Sequence, residues 1–118
     1  MTDHLASEHV LIDVWGCGFE TLNSVARIAA IFDALVAKYQ LTVVKRHFHP
    51  FPQQGLTGFY LLAASHLTIH TWPEHDYAAL DLFICGTSVA AIADDLCDLL
   101  HAQRRELRFV TRGPLPPQ

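Results

Sequence analysis

The chain has 118 residues, of which 51% are apolar and 17% are charged, and its formal net charge is −4. This length predicts one domain with a single core, and the acidic balance argues against nucleic acid as a partner. No apolar stretch reaches membrane-spanning length and no secretory signal segment opens the sequence, so we expect a cytoplasmic protein without a membrane partner.

The first half of the chain predicts a strand, a long helix and two further strands. Residues 8–15 alternate as a strand does, and residues 20–39 carry apolar side chains at helical spacing. Residues 41–49 are strand-like, residues 50–55 form a turn, and residues 56–63 are a second apolar run of strand length.

The second half predicts three more strands, one more helix and a loose tail. Residues 67–71, 77–84 and 107–111 have the composition of strands. Thr87 is a suitable N-cap for an amphipathic helix that runs to about residue 103. The proline-rich residues 113–118 cannot continue the last strand and are expected to form a tail outside the domain of residues 1–112.

This order of elements predicts an α+β fold, a two-layer sandwich in which an antiparallel sheet carries two helices on one face. The arrangement leaves the other face of the sheet uncovered. Because apolar residues are so abundant, we expect a second copy of the chain to cover that face in a homodimer.

Two histidine pairs, His47 with His49 and His66 with His70, are a candidate metal site. On an extended chain both spacings place the two rings on one face, and imidazole is a common zinc ligand. Against this, no cysteine or carboxylate stands at the usual ligand spacing, and the three cysteines lack CxxC spacing. We therefore expect no metal.

A hydrolytic triad is a second candidate, with Ser65 as the nucleophile, His70 as the base and Asp81 or Glu74 as the carboxylate. The residues around Ser65 lack the G-x-S-x-G pattern. They have the composition of a strand rather than of the strand-to-helix turn that presents such a nucleophile. The pattern gives this chemistry little support.

The densest group of reactive side chains is the run SHLTIHTWPE at residues 65–74, which is followed by Cys85 and Gly86. In order and spacing, the chain resembles the small prokaryotic S-adenosylmethionine decarboxylase proenzymes, a pyruvoyl-dependent family, from about His9 to Arg112. The other segments that carry the resemblance are WGC at 15–17, FHPF at 48–51, GLTG at 55–58 and YAALDLF at 77–83.

The resemblance implies a chain that makes its own cofactor. Decarboxylation of an amino acid leaves electrons on its α-carbon, and a carbonyl group that forms a Schiff base with the substrate amine can accept them. In this family the serine that corresponds to Ser65 attacks the carbonyl of the preceding residue, here Ala64. Elimination and hydrolysis then convert Ser65 into a pyruvoyl group, which leaves a β chain of residues 1–64 and an α chain of residues 65–118.

The same resemblance assigns roles to residues around the cleavage site. His70 corresponds to a histidine that transfers protons during processing, and Thr57 stands where the family has a serine whose hydroxyl supports processing. Cys85 corresponds to the thiol that protonates the α-carbon after carbon dioxide has left.

The resemblance also implies a substrate pocket. Phe51 corresponds to an aromatic residue that stacks on the adenine, and Glu74 corresponds to a carboxylate that bonds the ribose hydroxyls. Trp72 is expected to line the same pocket. A cationic sulfonium substrate favours a pocket of aromatic faces and carboxylates.

Besides Thr57, three departures from the family pattern lie near these residues. Ala64 replaces the usual glutamate before the cleaved serine, Pro50 replaces a basic residue, and His75-Asp76 replaces an aromatic-glycine pair. Because the acyl shift attacks a main-chain carbonyl, no particular side chain is required at residue 64.

We therefore expect the chain to decarboxylate S-adenosylmethionine to the aminopropyl donor of spermidine synthesis. Two alternatives stay open: a pyruvoyl-dependent decarboxylase of ornithine or arginine, and an uncleaved, non-enzymatic homologue that binds a small nucleoside or a partner subunit. Since the family places residues of two copies near the pocket, the expected assembly is a homodimer of αβ units.

Overall fold

A computed structural model describes residues 7–85, 89–114 and 116 of the chain. Its six strands are β1 Ser7–Trp15, β2 Val43–Pro50, β3 Leu56–Leu62, β4 Ser65–Trp72, β5 Tyr77–Cys85 and β6 Arg104–Arg112. Its helices are α1 Phe19–Leu22, α2 Val25–Lys38 and α3 Val89–Leu99, and a single 3₁₀ turn, Pro73–His75, joins β4 to β5.

The six strands form one sheet in the order β2-β3-β4-β5-β1-β6, and every neighbouring pair is antiparallel. The predicted α+β architecture is therefore confirmed. Short connections join β2 to β5 as a meander, and β1 then lies between β5 and β6. This order places the ends of β1, β4 and β5 side by side, although they lie far apart along the chain.

The core lies between the sheet and the helices. Alternate residues of each inner strand are buried, as the period of a strand requires; in β1 these are Val10, Ile12 and Val14. The helices contribute the matching apolar side chains, at helical spacing: Ile28, Phe32, Leu35 and Val36 from α2, and Val89, Ile92, Ala93, Leu96 and Cys97 from α3.

An aromatic group closes the core beneath β2 and β3. The rings of Phe32 and Tyr60 meet edge to face with 5.2 Å between their centroids, and Phe48 lies 5.9 Å from Tyr60. A β-carbon at Gly58 would stand 2.3 Å from the Phe48 ring, so only glycine permits this packing. The Tyr60 hydroxyl, at the rim of the core, donates to Asp33 Oδ1 at 2.5 Å.

The prediction of one long helix over residues 20–39 is wrong, because the structure divides this segment into α1 and α2. Ser24 is the N-cap of α2, and its Oγ accepts a hydrogen bond from the Arg27 amide at 3.1 Å. The Asn23 side chain accepts from the Gly55 amide at 2.8 Å. The Ser24 and Asn23 side chains thus accept hydrogen bonds from backbone amides instead of pointing away from a continuous helix. This polar pair marks the boundary between α1 and α2.

The second helix also ends earlier than predicted. α3 stops at Leu99 instead of continuing to residue 103, and His101 adopts a φ of 56° that a right-handed helix excludes. The N-cap predicted at Thr87 lies outside the described residues. None of the described helices is long and apolar enough to span a membrane.

The face of the sheet opposite the helices carries several exposed apolar side chains. They are Leu11 at 37% exposure, Leu61 at 44%, Trp72 at 41% and Val110 at 44%. Polar side chains lie between them, so this open face mixes apolar and charged groups.

Candidate active site

The peptide between Ala64 and Ser65 lies at one end of the sheet, where a short turn joins β3 to β4. Ser65 is the first residue of β4, and Cys85 is the last residue of the adjacent β5. The Cys85 amide donates to Ser65 Oγ at 3.2 Å, and the Cys85 thiol donates to the Ala64 carbonyl oxygen at 3.2 Å. One residue thus bonds both to the hydroxyl and to the carbonyl of the predicted cleavage site.

A cavity of about 240 Å³ opens beside this peptide. It lies where the loop after α2 meets the ends of three strands. Its lining consists of Tyr39, Gln40, Leu41, Thr42, Leu62, Ala63, Ala64, Ser65, Ile84 and Cys85. Ser65 and Cys85 are both partly buried, so the reactive groups lie at the cavity rather than in the core.

Thr57 and His70 form a second group, on β3 and β4. They are direct cross-strand partners, and Thr57 Oγ1 lies 2.9 Å from His70 Nδ1. The neighbouring cavity, of about 350 Å³, brings together the other predicted pocket residues. Its lining consists of Phe51, Gln54, Leu56, Thr57, His70, Thr71, Trp72 and Glu74.

The two groups lie at opposite ends of β4. Ser65 and His70 are five residues apart on one strand, and a rise of about 3.3 Å per residue separates their α-carbons by about 16 Å. A single chain therefore does not assemble the hydrolytic triad considered from the sequence. Asp81, the other candidate member of that triad, instead bonds to His9.

The open face carries a polar group that the motifs did not reveal. His9 Nε2 lies 3.1 Å from Asp81 Oδ1, and the His66 ring meets the His9 ring edge to face at 5.9 Å. Burial, followed by the charge of His9, lowers the pKa of His66. The sequence contained one sign of this group: His9, His66 and Asp81 occupy outward-facing alternate positions of β1, β4 and β5.

A second polar group lies on the same face, between β1, β5 and β6. The Tyr77 hydroxyl donates to Asp13 Oδ1 at 2.7 Å, and Arg108 donates to Asp13 Oδ2 at 3.3 Å. The hydrogen bond to Asp13, together with burial, raises the pKa of Tyr77 to about 12. Tyr77 also stacks on Trp72 with 5.3 Å between centroids, which connects this group to the larger cavity.

The departure at Asp76 has a structural explanation. Asp76 adopts a φ of 50°, in the left-handed region that glycine tolerates best and aspartate better than most residues. Its Oδ1 accepts a hydrogen bond from the Gly18 amide at 2.9 Å, and its carbonyl accepts one from the Gly16 amide at 3.1 Å. The carboxylate therefore ties the turn that carries Glu74 to the loop after β1.

Metal ligands are not assembled in the described part of the chain. Within residues 7–85 and 89–114, the structure contains no group of three or more histidine, cysteine or acidic side chains that could hold a metal ion. His47 and His49 instead lie against the rings of Phe59 and Phe51, at 6.2 and 5.1 Å.

Comparison with protein families gives one consistent result. The model of the family described as S-adenosylmethionine decarboxylase matches residues 8–113. The S-adenosylmethionine decarboxylase proenzyme of Geobacillus sp. strain WCH70 is 40% identical over 109 residues, which cover 92% of this chain and 88% of the relative. The proenzyme of Bacillus velezensis is 40% identical over 111 residues, covering 93% and 88%.

Solved structures agree with the sequence comparison. The crystal structure of the adenosylmethionine decarboxylase from Aquifex aeolicus superposes with a TM-score of 0.87 at 29% identity, covering 97% of this chain and 96% of the other. A Trypanosoma brucei AdoMetDC monomer superposes with a TM-score of 0.61 at 12% identity, covering 86% of this chain and 44% of the other. The second likeness concerns the fold alone.

Proposed function

Because this chain belongs to the S-adenosylmethionine decarboxylase family, we propose that it decarboxylates S-adenosylmethionine after cleaving itself between Ala64 and Ser65. The product is the aminopropyl donor used in spermidine synthesis. The relatives given above are named as proenzymes of this activity, which favours this substrate over ornithine or arginine.

The observation that carries the proposal is the contact of Cys85 with both sides of the scissile peptide. Its amide hydrogen bond orients Ser65 Oγ, the nucleophile, and its thiol bonds the oxygen of the carbonyl under attack. When the hydroxyl adds to that carbonyl, negative charge develops on the Ala64 oxygen. A donor already placed at this oxygen stabilises the charge without reorganisation.

In the proposed reaction, the groups that react belong to Ala64 and Ser65 themselves. The Ser65 hydroxyl adds to the Ala64 carbonyl carbon and the amide bond breaks, so that an ester forms and the hydroxyl proton is transferred to the Ser65 nitrogen. Removal of the Ser65 α-proton expels the Ala64 carboxylate. This step separates the chain into residues 1–64 and 65–118. Hydrolysis of the altered residue 65, now the first residue of the second chain, then gives the pyruvoyl group and releases ammonia.

The site fits the cofactor that this chemistry generates. A pyruvoyl group formed at residue 65 would supply the electron sink for decarboxylation. Residue 65 lies at the 240 Å³ cavity, with the Cys85 thiol within reach of its neighbour Ala64. We assign the Cys85 thiol as the proton donor to the substrate α-carbon, because a thiol can release one proton at the place that carbon dioxide vacates.

The second group, Thr57 and His70, acts in our proposal on the Ser65 of another copy. The distance of about 16 Å along β4 excludes direct proton transfer from Ser65 to His70 within one chain. A twofold axis that reverses the strand direction would place the His70 end of one open sheet face opposite the Ser65 end of the other. The exposed apolar residues of that face support such a homodimer of αβ units.

The larger cavity is the proposed site for the nucleoside part of the substrate. Phe51, 47% exposed, offers an aromatic face for the adenine, and Glu74 offers a carboxylate for the ribose hydroxyls. Trp72, the last residue of β4, is 41% exposed and lines the same cavity. Aromatic faces and a carboxylate also suit the positive sulfonium charge.

We also place the protein in the cytoplasm. Cys17, Cys85 and Cys97 are free thiols in the structure. The proposed role of Cys85 requires that it remain a thiol, and the reducing cytoplasm maintains thiols in that state.

The first experiment is the intact mass of freshly purified chain under denaturing conditions. We expect two fragments that divide at Ala64–Ser65, the second with a blocked terminus, whereas Ser65→Ala remains at full length. A wild-type chain that stays whole after prolonged incubation would refute the proposal and favour the non-enzymatic alternative. Carbon dioxide release from S-adenosylmethionine, ornithine and arginine then identifies the substrate.

A second experiment tests the two-copy site. Ser65→Ala and His70→Ala chains, each inactive alone, are expressed together. If His70 acts across the dimer, the His70→Ala chain is cleaved only when the Ser65→Ala chain is present, because that pair contains one complete site. Absence of cleavage in the mixed dimer would place both residues in one chain and contradict the proposal.

A further inference from the structure

Ser7 lies against the thiol of Cys85, although no motif in the sequence distinguishes it. It is the first residue of β1 and the direct cross-strand partner of Cys85, the last residue of β5. Ser7 Oγ stands 3.0 Å from Cys85 Sγ. The two side chains are 78 residues apart in sequence and meet only because β1 pairs with β5.

The direction of this hydrogen bond follows from the groups around the sulfur. A thiol has one hydrogen, and the Ala64 carbonyl oxygen, which can only accept, lies 3.2 Å from Cys85 Sγ. The thiol hydrogen is therefore used at Ala64. The Ser7 hydroxyl must then be the donor to the sulfur, so the bonds run from Ser7 through Cys85 to the Ala64 carbonyl.

We propose that Ser7 is a positioning residue that holds the Cys85 thiol on the Ala64 carbonyl and strengthens its donation during self-cleavage. This inference rests on the proposed function. A donor on the sulfur polarises the S–H bond, because hydrogen bonds in a chain reinforce one another. The contact also selects one of the three staggered rotamers of Cys85, the one that points at the carbonyl.

The surroundings leave the Ser7 side of the thiol accessible. A cavity of about 330 Å³ lies there, lined by Ser7, Phe83, Arg112, Gly113 and Pro114. Ser7 pairs with Arg112 of β6 on its other side, and the Arg112 guanidinium lies over the Phe83 ring at 5.4 Å. The hydroxyl can thus be removed without opening the core, which makes a clean substitution feasible.

The test compares Ser7→Val with Ser7→Thr, two β-branched side chains of similar shape that differ in the hydroxyl. Both suit a strand. The rate constant of self-cleavage is followed by intact mass on freshly made chain. We expect Ser7→Val to slow cleavage about tenfold, the effect of one hydrogen bond in the transition state, and Ser7→Thr to stay within about twofold of wild type. Thr111→Val, an exposed hydroxyl on the neighbouring strand, is the matched control and should change nothing.

A second readout locates the step. Hydroxylamine cleaves an ester to a hydroxamate and a free alcohol, so it accelerates breakage only if the Ala64–Ser65 ester accumulates. Because Ser7 is inferred to assist the attack that forms this ester, hydroxylamine should not rescue Ser7→Val. Rescue would assign Ser7 to the later elimination and overturn the inference. Equal cleavage rates in Ser7→Val and Ser7→Thr would overturn it as well.

A third readout does not depend on cleavage at all. In the uncleavable Ser65→Ala chain, alkylation of Cys85 by iodoacetamide is measured by peptide mass, with the buried Cys17 and Cys97 as internal references. A hydroxyl that donates to sulfur stabilises the reactive thiolate, so Ser7→Val should slow alkylation about threefold or more and Ser7→Thr should not. Failure of wild-type cleavage would refute the proposed function, whereas equal alkylation in the two variants would refute the role of Ser7.

Discussion

Asp76 provides a stability test of the turn that positions Glu74. This residue occupies a left-handed conformation with φ of 50°, and its carboxylate accepts a hydrogen bond from the Gly18 amide at 2.9 Å. Asp76→Ala removes that bond and leaves a β-carbon in the left-handed region. Asp76→Gly also removes the bond but relieves the backbone, so the pair separates the two contributions.

The magnitudes follow from the exposure of the contact. An exposed hydrogen bond of this kind contributes about 1 kcal/mol to the free energy of unfolding. Alanine lacks the tolerance of aspartate for positive φ, which adds about 0.5 kcal/mol to the loss. Asp76→Ala should therefore lose about 1.5 kcal/mol, equivalent to a fall of about 6 °C in Tm for a chain of this size. In Asp76→Gly, relief of about 1 kcal/mol offsets most of the lost bond.

The assay is urea unfolding of the variants in the Ser65→Ala background, so that cleavage does not interfere, at one fixed protein concentration because association affects apparent stability. Asp76→Asn, which keeps an acceptor and tolerates positive φ, is the control and should remain close to wild type. An Asp76→Gly variant less stable than Asp76→Ala would show that the left-handed backbone costs nothing here and would refute the reasoning.

Three further predictions concern the open face of the sheet. Thr57→Val replaces the hydroxyl bonded to His70 with a methyl group and should slow self-cleavage about tenfold by intact mass, whereas Thr57→Ser should not. Burial lowers the pKa of His66 below its value in the unfolded chain, so on acidification the unfolded chain binds a proton before the folded chain does. The free energy of unfolding should therefore be constant at neutral pH and fall as the pH drops below about 6.5. The urea midpoint of the wild-type chain should fall with pH in this range, and that of His66→Gln should fall less. Equal falls in the two chains would contradict the assignment to His66. The bond to Asp13 and burial raise the pKa of Tyr77 to about 12, so Asp13→Asn should bring its ultraviolet titration to lower pH, with Tyr77→Phe identifying the signal.

Much of the fold could be predicted because alternation and helical spacing are local properties of the sequence. Alternating apolar residues predicted β1 over residues 8–15, and the structure places it at Ser7–Trp15. The prediction of a single first helix was wrong at Asn23 and Ser24, where the structure interrupts the helix. Their side chains bond to Gly55 and to Arg27, and the first of these contacts exists only in the folded chain.

The proposed cleavage site was suggested by a dense motif in the sequence, SHLTIHTWPE, and by its resemblance to a family. That resemblance also led us to propose Ser65, His70 and Cys85 as a set. It did not predict their separation, because a motif gives order along the chain but not which residues occupy the same end of a strand.

The sequence by itself determined the two-layer α+β architecture and the family, because apolar periodicity and motif order survive without knowledge of any long-range contact. Only the tertiary structure decided which reactive groups meet. The pairing of β4 and β1 with β5 brings Cys85 to Ala64, Ser65 and Ser7, while the extended geometry of β4 keeps His70 about 16 Å away. Cross-strand pairing joins residues that are distant in sequence, and strand rise separates residues that are close in it.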